Sequence, residues 1–334
     1  MPRALYRLGL GAAAILVLAG LWLHWRRHHL PAGTDWKLAL SARHLEAGEK
    51  AWVQLAAPGR FEATIHFHIR DAHGTLIWKK QFAGLSCTRP TPGMPRQCLT
   101  PAQPFALPAP GHYVFSARVE QKHWRQNLTA VRPPVPYFGG VLTVATLGLP
   151  ENVRNYLRAH GFAVSHGLGR AAARVIVLGR TRLSPAGYQR LWKKTAAGSH
   201  LVLLKKPAPS AARYWPLQFR VHPWKAGCND NLFPVPELAR GVVKRFLTRL
   251  LQPAYGFDPR LPSHITPLGL NGRKLAGGAT TKRAQRCRAL FAFRFGQGQV
   301  WVSSLPMLQH FPDAWARRYL INLLKLAGRH SRFF

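Results

Sequence analysis

The sequence predicts three segments of different class: a membrane-spanning N-terminal helix, an all-β antiparallel sandwich, and an α/β domain with a parallel sheet covered by helices on both faces. Three observations carry this reading. Residues 8–25 form a nearly unbroken apolar run, and residues 35–133 alternate with the period of β-strands. Beyond the Pro-rich break Val131-Arg-Pro-Pro-Val-Pro-Tyr137, strands alternate with capped helices.

The first segment, Leu8–Trp25, reads LGLGAAAILVLAGLWLHW, with only His24 strongly polar. Its ~18 residues span about 27 Å as a helix, close to the thickness of a bilayer's hydrocarbon core. Trp22 and Trp25 stand at the far end, where amphipathic rings suit a membrane interface. Arg3 and Arg7 precede the run, and no small-x-small cleavage site separates it from Arg26-Arg27-His28-His29. Residues 1–30 are therefore expected to be an N-terminal tail and an uncleaved signal anchor. Basic residues flank both ends, so the positive-inside rule leaves the orientation open. The short N-terminal tail and the even cysteine count favour an inside N-terminus.

Charge is the outstanding bulk property. The 334 residues carry 48 Lys+Arg against 11 Asp+Glu, a formal +37. Such a body attracts acidic glycans, lipid headgroups or nucleic acid, with nucleic acid ranked last. Two other readings stay open. A protein facing an acidic medium gains by lacking carboxylates that lose their native interactions on protonation, and a genome rich in Arg codons produces the same bias. The 47% hydrophobic content excludes wholesale disorder. The four cysteines fall into two pairs, Cys87 with Cys98 and Cys228 with Cys287. Two disulfides fit an oxidising compartment, against the alternative of four buried or free thiols. Closing the short first loop would stabilise by about 3 kcal/mol on the chain-entropy model.

In the region 35–133, short strands are expected at 36–40 and 51–55, and 64–70 alternates cleanly, with Ile65, Phe67 and Ile69 on one face. Asp71-Ala-His-Gly74 is a turn leading to the hairpin partner at 76–78. A Pro-Gly turn at 110–111 precedes another strand. His66 and His68 share a strand face, with His123 elsewhere in the region. No third metal ligand is set by spacing, so an exposed polar face is preferred and no metal or cofactor is expected. The pattern resembles the immunoglobulin-like sandwiches of bacterial envelope proteins, where a PG-x-Y passage opens a late strand.

In the region 137–330, a buried strand at 140–147 leads to a helix at 151–160 with Gly161 past its end. Strands follow at 162–165 and 174–179. Ser184-Pro185 opens a second helix, with Tyr188, Leu191 and Trp192 as its apolar stripe. A strand begins at His200. Residues 236–251 have helical spacing with Leu238, Val242, Phe246, Leu247 and Leu250 aligned, a basic amphipathic pattern preferred as a domain helix over a membrane-surface one. Late strands flank the Gly296-Gln-Gly298 turn, and a last helix covers 313–326.

The passages VIVLGRTRLSPAGYQRLWKKTAAGSHLVLL and FGQGQVWVSSLPML…ARRYLINLLKL are similar to the strand–helix–strand passage and closing strand–helix of class I glutamine amidotransferase-like domains. The resemblance is best to degenerate members that follow sandwich domains in membrane-anchored bacterial proteins and in some glycoside hydrolases. It implies a flavodoxin-like sheet for residues 137–330. With the anchor, it implies a single-pass protein of the bacterial inner (cytoplasmic) membrane, body in the periplasm or exterior, with membrane-complex partners.

Active amidotransferases carry a G-x-C-x-G nucleophile elbow. Here Leu204-Lys205-Lys206-Pro207 follows the corresponding strand, and Cys228 lacks a preceding strand. Gly167-Leu-Gly169-Arg-Ala-Ala172 matches a dinucleotide fingerprint but has no room for the helix that motif requires. Glu151 and Asp313 read as helix-start residues, while Asp230, Glu237 and Asp258 form no carboxylate pair by spacing. No catalytic residue is assigned. Ligands of parallel sheets gather beyond the carboxyl ends of strands, and there stand Arg180, Lys205 and Lys206, an anion-binding rim or a solvated basic loop. The expectation is a non-enzymatic, membrane-anchored envelope module for binding or scaffolding. The alternative is an envelope hydrolase or transferase acting on carbohydrate.

Overall fold

The computed structural model of the chain describes residues 36–57, 64–83, 86–87, 98–119, 122–134, 142–169, 173–204, 218–223, 255–260, 267–268 and 290–329, with Leu238, Arg240 and Val242. The chain divides between Ala130 and Val131 into two compact units.

The first unit is built from β1 (Lys37–Leu40), β2 (His44–Glu46), β3 (Lys50–Ala57), β4 (Thr64–Asp71), β5 (Leu76–Ala83), β6 (Ser86–Cys87), β7 (Cys98–Leu99), β8 (Gln103–Ala106), β9 (Gly111–Val119) and β10 (Lys122–Val131). One sheet runs β1-β3-β7-β6, with β8 also on β3, and the other runs β2-β10-β9-β4-β5. Both sheets send side chains into one core, including Val53 and Leu55 from β3, Phe67 from β4 and Phe115 from β9. Alternation along β4 places Ile65, Phe67 and Ile69 at 0% exposure and leaves His66 and His68 on the opposite face. The Pro-Gly passage works as a corner: the Tyr113 hydroxyl donates to the Ala109 carbonyl at 2.7 Å. At the β4–β5 turn, Oδ1 of Asp71 accepts the N–H groups of His73 and Thr75. Cys98 is fully buried and disulfide-bonded, and its backbone pairs with that of Cys87 in the β6–β7 ladder. Cys228 and Cys287 lie outside the described residues.

The second unit contains β11 (Leu142–Leu147), α1 (Glu151–Ala159), β12 (Phe162–His166), β13 (Val175–Leu178), α2 (Pro185–Ala196), β14 (His200–Leu203), β15 (Gln218–Pro223), β16 (Tyr255–Arg260), β17 (Pro267–Leu268), β18 (Leu290–Phe295), β19 (Gly298–Ser303) and α3 (Ala314–Arg329). Its main sheet has the order β12-β11-β13-β14-β19-β18-β17. Strand alternation divides the buried residues between two cores. Val144, Val175 and Val202 join Val153 and Leu157 of α1 and Tyr319 and Leu323 of α3. Ala145, Ile176 and Leu201 join Tyr188, Leu191 and Trp192 of α2. The Ser184 hydroxyl caps α2 by accepting the Gly187 N–H at 3.1 Å, with Pro185 in the first turn. Asp313 accepts the Trp315 N–H at the start of α3. Of the 236–251 segment, Leu238 and Val242 are packed into the first of these cores, and Asn322 of α3 donates to the carbonyls of Leu238 and Arg240. The remainder of that segment lies outside the described residues.

The expected fold class is corrected on three counts. Strands dominate: the described residues hold nineteen strands and three helices. The large sheet is mixed rather than parallel, because β18 runs antiparallel to β19 on one side and to β17 on the other. The physical cause is the Gly296-Gln297 turn, since a two-residue connection joins only antiparallel neighbours. A further antiparallel pair, β15–β16, falls where no strand was expected.

The third count concerns the membrane. Among the described residues no helix is long and apolar enough to cross one. The longest, α3, has 16 residues and carries Arg317, Arg318, Lys325 and Arg329, and such a length reaches only about 24 Å of the ~30 Å needed. The described residues therefore give no support to the expected transmembrane and signal-anchor character or to the single-pass inner-membrane and periplasmic placement, and neither is carried further. The Leu8–Trp25 run itself lies outside the described residues.

Candidate functional site

Five strands of the large sheet are parallel, in the order β12-β11-β13-β14-β19. The chain leaves β11 for β12 on one side and later places β13 on the other, so strand order reverses between β11 and β13. Ligand crevices of such sheets open at this reversal, beyond the carboxyl ends of the strands. The local chain there is Leu147-Gly148-Leu149-Pro150 after β11 and Leu178-Gly179-Arg180-Thr181 after β13.

These two segments close on each other. The Gly179 N–H donates to the Leu147 carbonyl at 2.8 Å, and the Arg180 N–H to the Gly148 carbonyl at 2.9 Å. On the far side the Leu204 N–H reaches the Leu178 carbonyl at 3.0 Å. The ladder thus continues past the strand ends, and these amides are committed to protein acceptors. Glycine is required by the approach. Gly148 has φ +68°, and a Cβ there would stand 2.6 Å from the Thr181 Cβ. A Cβ on Gly179 would stand 2.6 Å from the Gly148 carbonyl oxygen.

What projects at this edge is positive. Arg180 is exposed, as are Arg182 two residues on and His166 at the end of β12. Glu151, the nearest acidic residue along the chain, is engaged by Arg154 and Arg158 of its own helix. Hydrogen bonds from these two arginines hold its carboxyl below the usual carboxylate range. Tyr188 is pushed up by burial, partly opposed by a backbone hydrogen bond to Leu183 and the charge of Arg182.

Of the sequence-derived rim, Arg180 stands at this edge, while Lys205 and Lys206 lie outside the described residues. Arg182 and His166 were missed. Arg182 had a signal, an arginine two positions after the first on the same post-strand loop. Cys228, Asp230 and Glu237 also lie outside the description, and Asp258 falls in β16, whose side chains are not described. The Gly167–Gly169 part of the fingerprint match follows β12, where the Gly167 N–H is taken by the Thr146 carbonyl at 3.0 Å. Among the described residues no group of three His, Cys, Asp or Glu side chains is placed to hold a metal ion.

No family model matches the chain, and no curated protein matches it. Among solved structures, a CARDB domain in complex with di-metal ions from Pyrococcus furiosus overlaps 29% of this chain and 88% of its own, at 12% identity and a TM-score of 0.21. An exo-β-1,4-mannosidase from an Opitutaceae bacterium overlaps 57% of this chain and 36% of its own, at 11% identity and a TM-score of 0.32. A β-glucuronidase from Ruminococcus gnavus overlaps 54% and 38%, at 9% identity and a TM-score of 0.19. The chain therefore spans well under half the length of these glycosidases. Overlaps of this size carry no argument about fold or activity.

Proposed function

We propose that the chain is a non-catalytic binding module for anionic ligands, with Arg180 as a contact residue. The observation that supports this reading is the closed crossing of Gly148 on Thr181 and Gly179. Here the backbone closes the gap between the two strand ends, and among the described residues Arg180, Arg182 and His166 are exposed beside it. The second unit is read as an amidotransferase-like domain without its nucleophile elbow, on the passages at 175–204 and 295–326. Such an arrangement suits recognition of phosphate, sulfate or carboxylate groups by guanidinium.

Calorimetric titration of the chain with inorganic sulfate and phosphate tests this directly. Arg180→Ala is expected to weaken binding by about three- to tenfold, the yield of one partly exposed charge-assisted contact. Equal binding by the variant would remove Arg180 from the reading. Turnover of any glycan that disappears on changing Asp230, Asp258 or Cys228 would overturn the non-catalytic assignment.

A further inference from the structure

The first unit carries a second basic surface, independent of the Arg180 edge, on the outward face of its β5–β4–β9–β10 sheet. Because Ile65, Phe67 and Ile69 of β4 and Phe115 and Ala117 of β9 point into the core, the alternate positions share the opposite face. In register, His66 lies between Gln81 of β5 and Arg118 of β9. His68 lies between Lys79 of β5 and Ser116 of β9. Arg118 in turn faces His123 of β10, and Ser116 faces Arg125. Arg70 continues the β4 row.

Lys79, Arg70, Arg118, His123 and Arg125 are exposed, and the His66 and His68 rings are stacked with centroids 6.2 Å apart. The sole carboxylate among the described residues of these four strands is Asp71. Its Oδ1 serves the adjoining turn, accepting from His73 and Thr75. The result is a field of basic side chains, its rows about 4.8 Å apart across the strands.

We propose that this face binds a linear acidic polysaccharide, and binds it more tightly as acidification charges His68. Two features select that partner. An array of cations at regular spacing matches a chain that repeats its anionic groups. Single-stranded nucleic acid requires aromatic platforms for base stacking. The aromatic side chains of these strands turn inward instead: Phe67, Phe115 and Tyr113 are buried, and Trp78, Phe82 and Trp124 pack against the same core.

The pH response follows from the neighbours. The groups facing His66 are Gln81 and Arg118 across the strands and His68 along β4. Those facing His68 are Lys79 and Ser116 across the strands and His66 and Arg70 along β4. The His68 ring is held below its usual range, by partial burial first and then by the charges of His66, Arg70 and Lys79. A bound sulfate or carboxylate supplies counter-charge there and draws a proton onto the His68 ring. Binding and protonation therefore reinforce each other.

The test uses the full chain and dextran sulfate, whose charge does not change across the histidine range, with uncharged dextran as control. At fixed ionic strength, affinity is expected to rise about tenfold from about pH 7.5 to about pH 5.5, the response to roughly one linked proton. Calorimetry in buffers of different ionisation enthalpy is expected to show proton uptake by the unaltered chain. The double substitution His66→Gln/His68→Gln is expected to diminish the pH response, and Arg118→Ser to weaken binding at both pH values. Arg180→Ala is expected to leave the response intact, which separates this surface from the edge of the second unit. Absence of proton uptake, or an undiminished pH response in the double variant, would overturn the proposal. So would tighter binding of a single-stranded oligonucleotide of matched charge.

Discussion

Gly148 and Thr181 approach so closely that a Cβ on the glycine would lie 2.6 Å from the threonine Cβ and 2.7 Å from its backbone nitrogen. Contact and conformation both demand glycine, since φ is +68°. Gly148→Ala is expected to lower the unfolding free energy by at least about 2 kcal/mol, combining left-handed strain with overpacking. Urea denaturation followed by tryptophan fluorescence measures it. A loss below about 0.5 kcal/mol would show that the two loops part freely.

Leu157 of α1 is fully buried between its helix and the sheet. Leu157→Ala is expected to cost about 2–5 kcal/mol, while Leu157→Met should cost less than about 1.5 kcal/mol. Parallel denaturation curves of the two variants isolate the cavity effect, because neither alanine nor methionine lowers helix propensity appreciably.

The Ser184 cap on α2 supports a helix whose Tyr188, Leu191 and Trp192 fill the second core. Ser184→Ala is expected to destabilise by about 1 kcal/mol, and Ser184→Asp to retain most of the stability. Equal losses in both variants would place the contribution of Ser184 elsewhere than in the cap.

Acid should loosen the first unit through His68, whose ring is held below the usual range chiefly by burial. As pH falls, the unfolded chain takes up its proton first, near the ordinary value of about 6.5. The contribution of neutral His68 is thus present above that value and lost as pH falls through it toward the depressed folded value. Urea midpoints measured across this window should decline, and His68→Gln should flatten the decline. An unchanged slope in the variant would assign the acid sensitivity to other groups.

Local patterns revealed much of this architecture. The alternation of Ile65, Phe67 and Ile69 against His66 and His68 located β4 and its outward face. Ser184-Pro185 and Gly296-Gln-Gly298 marked a helix start and a reversal. β10 escaped notice because Gln126 occupies the row of Trp124, Leu128 and Ala130 and breaks its apolar run. β16 escaped because Gly256 and Pro259 in Tyr-Gly-Phe-Asp-Pro-Arg read as turn residues. At the candidate edge, Arg180 could be placed from the apolar run before it. The closure of Gly148 on Thr181 could not, because it depends on β11 and β13 becoming neighbours across an intervening helix and strand.

The pairing of β14 with β19 has a consequence for synthesis. His200 lies beside Gln299, about a hundred residues further along the chain. Until the β18–β19 hairpin has emerged, β14 would stand at the margin of a partial sheet, its Leu201, Val202 and Leu203 backbone groups open to any passing strand. Contacts so distant in sequence form slowly because their loops are costly to close, and an unpaired apolar edge invites association with other chains. A nascent chain halted near residue 290 should therefore aggregate or recruit chaperones, whereas one released beyond residue 330 should not.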